Sequence, residues 1–352
     1  MRILCTWLIL ALAPLFAQES PIPVGRSERV MEGLQTTLIV PPGLTPQKKG
    51  SLVLLLHGLG DTGANLSHTL QSWTREGYVI CAPTAKGKQW SRPQVEAVIR
   101  IGKRLLELLP IDPNKIHTMG FSNGGWNLPT LAFSDALKPV SAIYLAAGHD
   151  GPSPPKWAKK RLSVLALAGE QDPNARAARA TVTRLRGKVV RVEARFQPNL
   201  GHKWPRMYEP FMLWWTGVTE GRFTPGDDMN FDWQSDFRAA MATQASRKKR
   251  GGVWLYVYDA DGDRDSKEAR RIQEFVFMHP LVRHFGNQLP AVKMDLGDPD
   301  LPEGLKIKKT PAVAIFDHKG KLKKLYQGKI KVKQLAASLR KRAPDPKMPK
   351  LK

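Results

Sequence analysis

The sequence predicts an α/β protein in which a doubly wound, mostly parallel sheet precedes a smaller α/β domain. Continuous apolar runs recur up to residue 196, and such runs are typical of parallel strands buried on both faces. Helical stretches separate them, and strands that alternate with helices form doubly wound sheets. The expected strands of the first domain are residues 34–40, 51–56, 78–82, 115–119, 141–146, 162–168 and 189–196.

The clearest helix is predicted over residues 95–109. Its apolar residues fall on one face, and Pro110 ends it. Residues 208–218 predict the last helix of the first domain, which is amphipathic and rich in tryptophan. A second helix start is predicted over residues 231–237, where Asp232 or Ser235 would provide the cap.

The length and composition indicate two globular domains. A chain of 352 residues with 42% hydrophobic content is long enough to bury two cores. Glycines, a proline and paired acids after residue 218 are typical of a linker. The expected division is a first domain at 22–218, a linker at 219–228, a second domain at 229–340 and a basic tail at 341–352.

Residues 1–17 predict a signal peptide. Arg2 provides a positive start, residues 3–16 are almost wholly apolar, and Leu15-Phe16-Ala17 offers a cleavage site. An uncleaved anchor is the alternative, although the run is short for a membrane span, which needs about 20 apolar residues. Export to the periplasm or the medium is therefore expected. Cleavage would remove Cys5 and leave Cys81 without a partner for an internal disulfide.

The formal net charge of +24 indicates attraction to acidic surfaces or polymers. Residues 319–333 contain seven lysines and no acid. No nucleic-acid-binding motif and no aromatic interleaving accompany them, so a specific nucleic-acid partner is not expected. We interpret this region as a basic face that rests on an anionic membrane or cell-wall polymer.

One motif predicts a nucleophile. Gly120-Phe121-Ser122-Asn123-Gly124 follows an apolar strand and precedes a helix, so G-x-S-x-G predicts a nucleophile elbow with an exposed serine hydroxyl. Gly and Ser are common in ordinary turns, so the pattern alone is weak. The accompanying motifs strengthen it.

A second motif predicts an oxyanion hole. His57-Gly58-Leu59-Gly60 ends an apolar strand, and glycines let the backbone approach a ligand closely. The backbone N–H groups of Leu59 and Asn123 are the expected donors to a developing negative charge. His57 is interpreted as a structural residue that braces this loop by hydrogen bonding.

An acid and a base follow in the order that such a serine needs. Asp172 lies in a short loop after one strand, with Glu170 as the rival acid, and His202 lies after the next strand. Gly201 is expected to let the histidine loop turn its ring toward the serine. Of the other histidines, His149 follows a strand and could line a pocket, whereas His68 and His117 lack such a loop.

These motifs resemble those of the small esterases of the α/β-hydrolase superfamily over residues 34–217. HGLGDTG followed by GFSNGG resembles the carboxylesterase and phospholipase group, which includes acyl-protein thioesterases. The GHKWP motif is more similar to the secreted feruloyl-esterase and polyhydroxybutyrate-depolymerase group. Asn123 stands where the thioesterase-like group commonly has Gln.

The resemblance implies a role for each site residue. Ser122 would be the nucleophile, His202 the general base and Asp172 the residue that orients it, with Leu59 and Asn123 as oxyanion donors. No metal or organic cofactor is implied. The short stretches of chain between Ser122, Asp172 and His202 leave little room for a large lid over the site, which favours small-molecule or polymer-attached esters. Bulky aromatics beside the motifs, Trp126 and Trp204, could line the site or belong to the core.

The second domain, over residues 233–339, resembles a thioredoxin-like domain. Asp263 and Ser266 occupy the positions where redox-active members have C-x-x-C, and Thr310-Pro311 matches the cis-proline loop of that family. Without sulfur, thiol–disulfide exchange is excluded. The acidic loop fails the EF-hand pattern because Arg264 replaces the required glycine. A binding or docking module is expected.

The sequence therefore predicts an exported serine esterase fused to a redox-inactive, thioredoxin-like module. A peptidase or a thioesterase with the same three residues is the alternative within enzymes. A non-catalytic binding or scaffold protein with a vestigial hydrolase site is the alternative outside them.

Overall fold

The structure, a computed structural model, describes residues 21–222, 231–246, 250–260, 262 and 266–347. The predicted signal peptide, most of the predicted linker, Asp263, Arg264 and the last residues of the tail lie outside these ranges. None of the helices described is long and apolar enough to cross a membrane.

Eight strands form the first sheet. They are β1 (Gly25–Met31), β2 (Leu34–Val40), β3 (Gly50–Leu56), β4 (Tyr78–Pro83), β5 (Ile111–Phe121), β6 (Ser141–Leu145), β7 (Ser163–Gly169) and β8 (Arg191–Gln197). Their order is β1-β2-β4-β3-β5-β6-β7-β8. Strands β3 to β8 are parallel, and β1 and β2 are antiparallel additions at one edge.

This sheet confirms the predicted α/β fold class with its doubly wound, mostly parallel sheet. The strands from β3 to β7 are buried along most of their length, which is why they appear in the sequence as continuous apolar runs. Strand β1 was not predicted from the sequence. Its residues alternate between half-buried and exposed at the sheet edge, so no apolar run marks it.

Helices cover both faces of the sheet. They are α1 (Gly63–Ser67), α2 (Arg92–Leu108), α3 (Asn123–Ala132), α4 (Ala158–Arg161), α5 (Ala175–Leu185) and α6 (Glu209–Thr219). Helices α2, α3 and α5 share one hydrophobic core with one face of the sheet. Helix α6, helix α1 and the 3₁₀ segment His68–Glu76 share the core on the other face. The predicted helix over 95–109 is α2, which begins earlier at a capping box of Ser91 and Gln94.

The second, smaller sheet has five strands in the order β13-β12-β10-β11-β9. They are β9 (Trp233–Gln234), β10 (Trp254–Tyr258), β11 (Ala291–Asp295), β12 (Ala312–Phe316) and β13 (Leu322–Gln327). Strands β9, β10 and β11 are parallel, whereas β12 pairs antiparallel with both of its neighbours, β10 and β13. The Thr310–Pro311 peptide bond is cis.

The helices of this sheet are α7 (Phe237–Ala242), α8 (Lys267–Arg271), α9 (Pro280–Gly286) and α10 (Val332–Arg342), and a π-helical segment, Ile272–Phe277, continues α8. The prediction of a helix start capped by Asp232 or Ser235 is wrong. Trp233 and Gln234 form strand β9, and Asp236 caps α7 by accepting the Ala239 N–H at 2.9 Å. Several polar residues here can cap a helix, and only the pairing of β9 with β11 decides which one does.

The π-helical segment packs against edge strand β8 of the first sheet. Arg191 pairs with Glu274 at 2.8 Å across this contact. The buried guanidinium of Arg195 lies 4.0 Å from the ring centroid of Phe211 and 4.8 Å from that of Phe275. Charge pairing and cation–π contacts therefore join the two units.

His279, which caps α9, lies close enough to this contact for a charge there to affect its pKa. Burial, and secondarily the positive charge of Arg195, lower the pKa of His279 to about 4. The ordinary pKa of histidine is about 6.5. Between these two pKa values, the folded protein keeps His279 neutral while the unfolded chain takes up a proton. The free energy of unfolding therefore falls as the pH drops from about 6.5 to 4.

We therefore predict that His279→Asn flattens the decline of unfolding free energy between pH 6.5 and pH 4, because asparagine caps a helix without titrating. Urea unfolding of both proteins at several pH values measures this difference. Other buried histidines contribute equally to both proteins and cancel. Parallel curves for the two proteins would contradict the assignment.

Candidate active site

Ser122 stands in a sharp turn between β5 and α3. Its backbone has φ 51° and ψ −115°, and its N–H donates to the Leu145 carbonyl at 2.8 Å. A Cβ on Gly124 would lie 2.3 Å from the Leu56 carbonyl oxygen, and one on Gly120 would lie 2.4 Å from the Gly124 oxygen. Only glycine fits at either position, which explains the G-x-S-x-G spacing physically.

The structure brings Ser122, His202 and Asp172 together at the carboxyl ends of β5, β8 and β7. Ser122 Oγ lies 2.8 Å from His202 Nε2. On the other side of the ring, Nδ1 lies 3.1 and 3.2 Å from the two carboxylate oxygens of Asp172. A proton on Nδ1 donates to this carboxylate, which leaves Nε2 as the acceptor for the serine hydroxyl.

Burial differs along this chain of hydrogen bonds. The side chain of Asp172 is fully buried, whereas 37% of the His202 side chain is exposed. The carboxylate is therefore shielded from water and the reactive end of the ring is accessible. Glu170, the rival acid, is exposed, and among the described residues its carboxylate makes no hydrogen bond to His202.

Asn174, which the sequence analysis did not identify, holds the acid in place. Its N–H donates to Asp172 Oδ1 at 2.7 Å, and its side-chain amide donates to the Ala146 carbonyl at 2.9 Å. It therefore links the acid to the end of the neighbouring strand β6. A polar residue two positions after a candidate acid is the sequence signal that could have revealed it, because an Asp side chain often accepts the N–H two residues on in an Asx turn.

The acid loop and the histidine loop are in direct contact. The N–H of Gln171 donates to the Leu200 carbonyl at 2.9 Å, and a Cβ on Gly169 would lie 1.9 Å from the same oxygen. The left-handed residue of the histidine loop is Asn199, with φ 57°, whereas a Cβ on Gly201 would meet no atom within 4 Å. The expected role of Gly201 is therefore wrong, and Asn199 makes the turn because asparagine tolerates this conformation.

The loop after β3 touches the elbow. A Cβ on Gly58 would lie 2.9 Å from the Phe121 ring and 3.5 Å from Ser122 Cβ. Asn123 is the first residue of α3, where a backbone N–H has no acceptor within the helix. Within the described part of the chain, the N–H groups of Leu59 and Asn123 have no hydrogen-bond acceptor. Both remain available to a ligand.

His57 braces this loop, as the sequence analysis expected. Its Nδ1–H donates to the Gly58 carbonyl at 2.7 Å, and its Nε2 accepts the Ala85 N–H at 2.9 Å. Burial lowers the pKa of His57 and favours the neutral ring that this pair of bonds requires. The ring therefore fixes the backbone on either side of the glycines.

A second brace, the loop after β4, was not identified from the sequence. The Trp90 N–H donates to Asn123 Oδ1 at 2.9 Å, and its indole N–H donates to the His57 carbonyl at 3.0 Å. The Gly60 N–H donates to the Lys88 carbonyl at 2.7 Å. Trp90 is buried in a polar loop, and a lone tryptophan among Lys, Gly and Gln was the available signal.

Aromatic rings form one side of the site. The Phe121 ring stacks on the His202 ring, with 5.6 Å between the ring centroids, and its centroid lies 6.1 Å from that of the Trp204 ring. The Trp204 indole donates to Glu209 at 2.9 Å, and burial raises the pKa of that carboxyl group. Trp126 is 36% exposed on α3. Phe121 was not identified as a site residue from the sequence because it is the variable residue of the motif.

The other histidines are placed elsewhere. His149 is buried rather than lining an open pocket, with its Nδ1 at 3.3 Å from the Tyr144 hydroxyl and its ring against Phe133. His117 is buried between Ser141 and Glu220, and His68 is exposed. In the ranges that the structure describes, no group of three or more His, Cys, Asp or Glu residues could hold a metal ion.

Several solved esterases and serine hydrolases are similar to part of this chain. They include the fluorophosphonate-binding serine hydrolase F of Staphylococcus aureus (13% identity, TM-score 0.44, 57% of this chain and 99% of that one). A ferulic acid esterase (13%, 0.44, 56% and 98%) and an acetyl xylan esterase from Aspergillus awamori (12%, 0.43, 55% and 99%) are further examples. Scans against protein-family profiles and curated proteins find no significant match.

The brace between Trp90 and Asn123 yields a stability prediction. Asn123→Ala leaves the buried Trp90 N–H without its acceptor, and we expect a loss of about 1–3 kcal/mol of unfolding free energy. Asn123→Asp, which keeps an oxygen at this position, should lose less. Urea denaturation of both variants measures the difference, and equal losses would indicate that the hydrogen bond contributes nothing.

Proposed function

We propose that the protein is an exported serine hydrolase that cleaves carboxylic esters through an acyl-enzyme. The observation that carries this proposal is the continuous hydrogen-bonded chain from the Ser122 hydroxyl through the His202 ring to the buried carboxylate of Asp172. A serine hydroxyl is a weak nucleophile until a base removes its proton, and this arrangement supplies both the base and the group that orients it.

The reaction proceeds in two halves. Ser122 Oγ attacks the ester carbonyl carbon while His202 Nε2 takes the hydroxyl proton. The Leu59 and Asn123 N–H groups stabilise the resulting oxyanion, and each such donor contributes about 10²–10³ in rate. His202 then returns the proton to the leaving alcohol. In the second half, His202 takes a proton from the water that attacks the acyl-enzyme and returns it to Ser122 Oγ as the carboxylic acid departs.

The exposure of the site supports an extended or polymer-attached ester as the substrate. The His202 side chain is 37% exposed and Leu59 as a whole residue is 63% exposed, so the reacting atoms are accessible to a long molecule. The same groups can cleave a thioester or an activated amide. Comparison of oxygen esters, thioesters and anilides of one acyl group distinguishes these activities.

The predicted signal segment supports export, and the cysteines are compatible with it. The side chain of Cys81 is fully buried, and burial raises the pKa of its thiol. A shielded, protonated thiol resists oxidation, as a lone cysteine in an oxidising compartment must. Processing at Ala17 in an expressing cell, read by mass of the released protein, tests this part of the proposal.

We assign the second domain as a redox-inactive, thioredoxin-like accessory module. Its strand order supports this assignment. Three parallel strands are followed along the chain by β12 and β13, and β12 pairs antiparallel with both β10 and β13. Residues 231–352 contain no cysteine. Ser266, at the second of the family's cysteine positions, has a structural task here because its hydroxyl caps α8 by accepting the Ala269 N–H at 3.0 Å.

The first functional prediction concerns Ser122. We expect the protein to hydrolyse short-chain nitrophenyl esters and Ser122→Ala to reduce the rate by at least about 10³-fold, because no other group replaces the nucleophile. A fluorophosphonate should label Ser122, as read by peptide mass. A folded wild-type protein with neither turnover nor label would indicate a non-catalytic binding protein.

The second functional prediction separates the two candidate acids. Asp172→Asn keeps the shape but favours the wrong tautomer of His202, and we expect a decrease of about 10³–10⁴-fold in kcat. Glu170→Gln, two residues away, is the matched control and should change the rate less than about twofold, since its side chain is exposed. A large effect of Glu170→Gln with a small effect of Asp172→Asn would reverse the assignment.

A further inference from the structure

A groove of about 790 Å³ lies between strand β13 and helix α10 of the second domain, far along the chain from Ser122. Among the described residues, none that lines the groove is acidic and five are cationic: Lys323, Lys324, Lys329, Lys341 and Arg342. A volume of this size is typical of a ligand site.

Most of these cations have no anionic partner. Lys323 pairs with Asp317 at 2.8 Å. In the described ranges, the other four lie within 4.0 Å of no carboxylate. The Lys324 ammonium lies 5.9 Å from the Tyr326 ring instead. Unneutralised charge collected in a concave surface attracts an anionic ligand more strongly than charge on a convex surface.

The lining residues show that the groove follows the edge of the sheet. Residues 324–327, which follow a bulge at Lys323, all contribute, although successive side chains of a regular strand point to opposite faces. A cavity that touches four consecutive residues of a regular strand therefore borders the strand backbone itself. Strand β13 is the last strand in the order β13-β12-β10-β11-β9, so its outer side has no neighbouring strand among the described elements.

The register identifies the backbone groups at this edge. The Gly328 N–H donates to the Pro311 carbonyl at 2.9 Å, and bonded pairs alternate along an antiparallel ladder. Lys324 and Tyr326 therefore bond to β12, whereas the N–H and C=O of Leu325 face outward. An incoming extended chain can pair with these groups.

The cations also have a defined side. The Tyr326 hydroxyl bonds to Ser338 Oγ at 2.7 Å and to the Gln334 carbonyl at 2.8 Å, so its side chain lies toward α10. Lys324, two residues earlier, shares that face of the strand. Acidic residues at alternate positions of a paired peptide would all point toward Lys324 and the cations at the end of α10.

We propose that this groove binds an extended acidic polypeptide segment, which adds to the sheet beside β13 with its acidic side chains on the α10 face. A peptide is favoured over a nucleic acid or a phosphate polymer because only a polypeptide can pair with the strand edge. Tyr326 is the one aromatic residue among the described residues that line the groove. It is held by α10 and covered by Lys324, so it offers little surface for base stacking.

Fluorescence anisotropy with the full-length protein at physiological salt tests the proposal. The probe is a labelled peptide of about eight residues that alternates Glu and Thr, long enough to span the six residues of β13. Two control peptides keep the charge. One has the same composition with all Glu before all Thr, and the other carries N-methyl groups on alternate backbone nitrogens, which block strand pairing.

We expect the alternating peptide to bind at least about tenfold more tightly than either control peptide. Lys324→Glu with Lys341→Glu should weaken its binding at least about tenfold through like-charge repulsion. The matched control is Lys159→Glu with Lys160→Glu on α4, which changes the net charge equally on an exposed helix outside the groove and should change binding less than about twofold. Thermal unfolding checks that both variants are folded.

Equal binding of the N-methylated peptide would overturn strand pairing and leave attraction by charge alone. Equally potent competition by polyphosphate or by single-stranded DNA of matched charge would overturn the choice of a polypeptide. Absence of binding to the wild-type protein would overturn the site as a whole.

Discussion

The backbone of Ser122, held at a positive φ, is the constraint on which the rest of the site depends. A non-glycine residue in this conformation costs on the order of 1–3 kcal/mol, and surrounding contacts must offset it. Three sources are visible: the bond of its N–H to Leu145, the start of α3 directly after it, and glycines that let α3 approach the end of β3. The same turn begins helix α3, whose first N–H, that of Asn123, has no acceptor among the described residues. A single backbone conformation thus positions the nucleophile and one of the proposed oxyanion donors.

Burial, rather than residue type, distinguishes the candidate site from a second arrangement of the same groups. At the opposite end of the sheet, His117 Nδ1 lies 2.8 Å from Ser141 Oγ and its Nε2 lies 2.6 Å from Glu220. This serine, histidine and acid have side chains that are fully buried. No ester can reach Ser141, so these bonds hold strands β5 and β6 to the end of α6. At Ser122, only the acid is buried, and the histidine faces solvent.

The two units of the chain divide the physical tasks. The first carries the buried parallel sheet, whose strand ends gather the nucleophile, base and acid at one edge. The second carries the antiparallel edge strand β13 and much of the unneutralised positive charge. They meet where Arg191 and Arg195 of the edge strand β8 contact the π-helical segment. The proposed peptide groove lies on a different element from this contact.

The sequence by itself determined the fold class, most of the buried strands and the three residues that meet at the candidate site. Apolar runs mark strands buried on both faces, and glycine spacing marks an elbow, because both are local constraints that leave a pattern in the chain. Only the tertiary structure decided which polar residues support them. Asn174 and Trp90 form hydrogen bonds to residues far away in the sequence, and β1 and β9 exist because other strands offer them an edge. A local pattern can mark such residues as candidates, but their partners depend on which loops come close together in the fold.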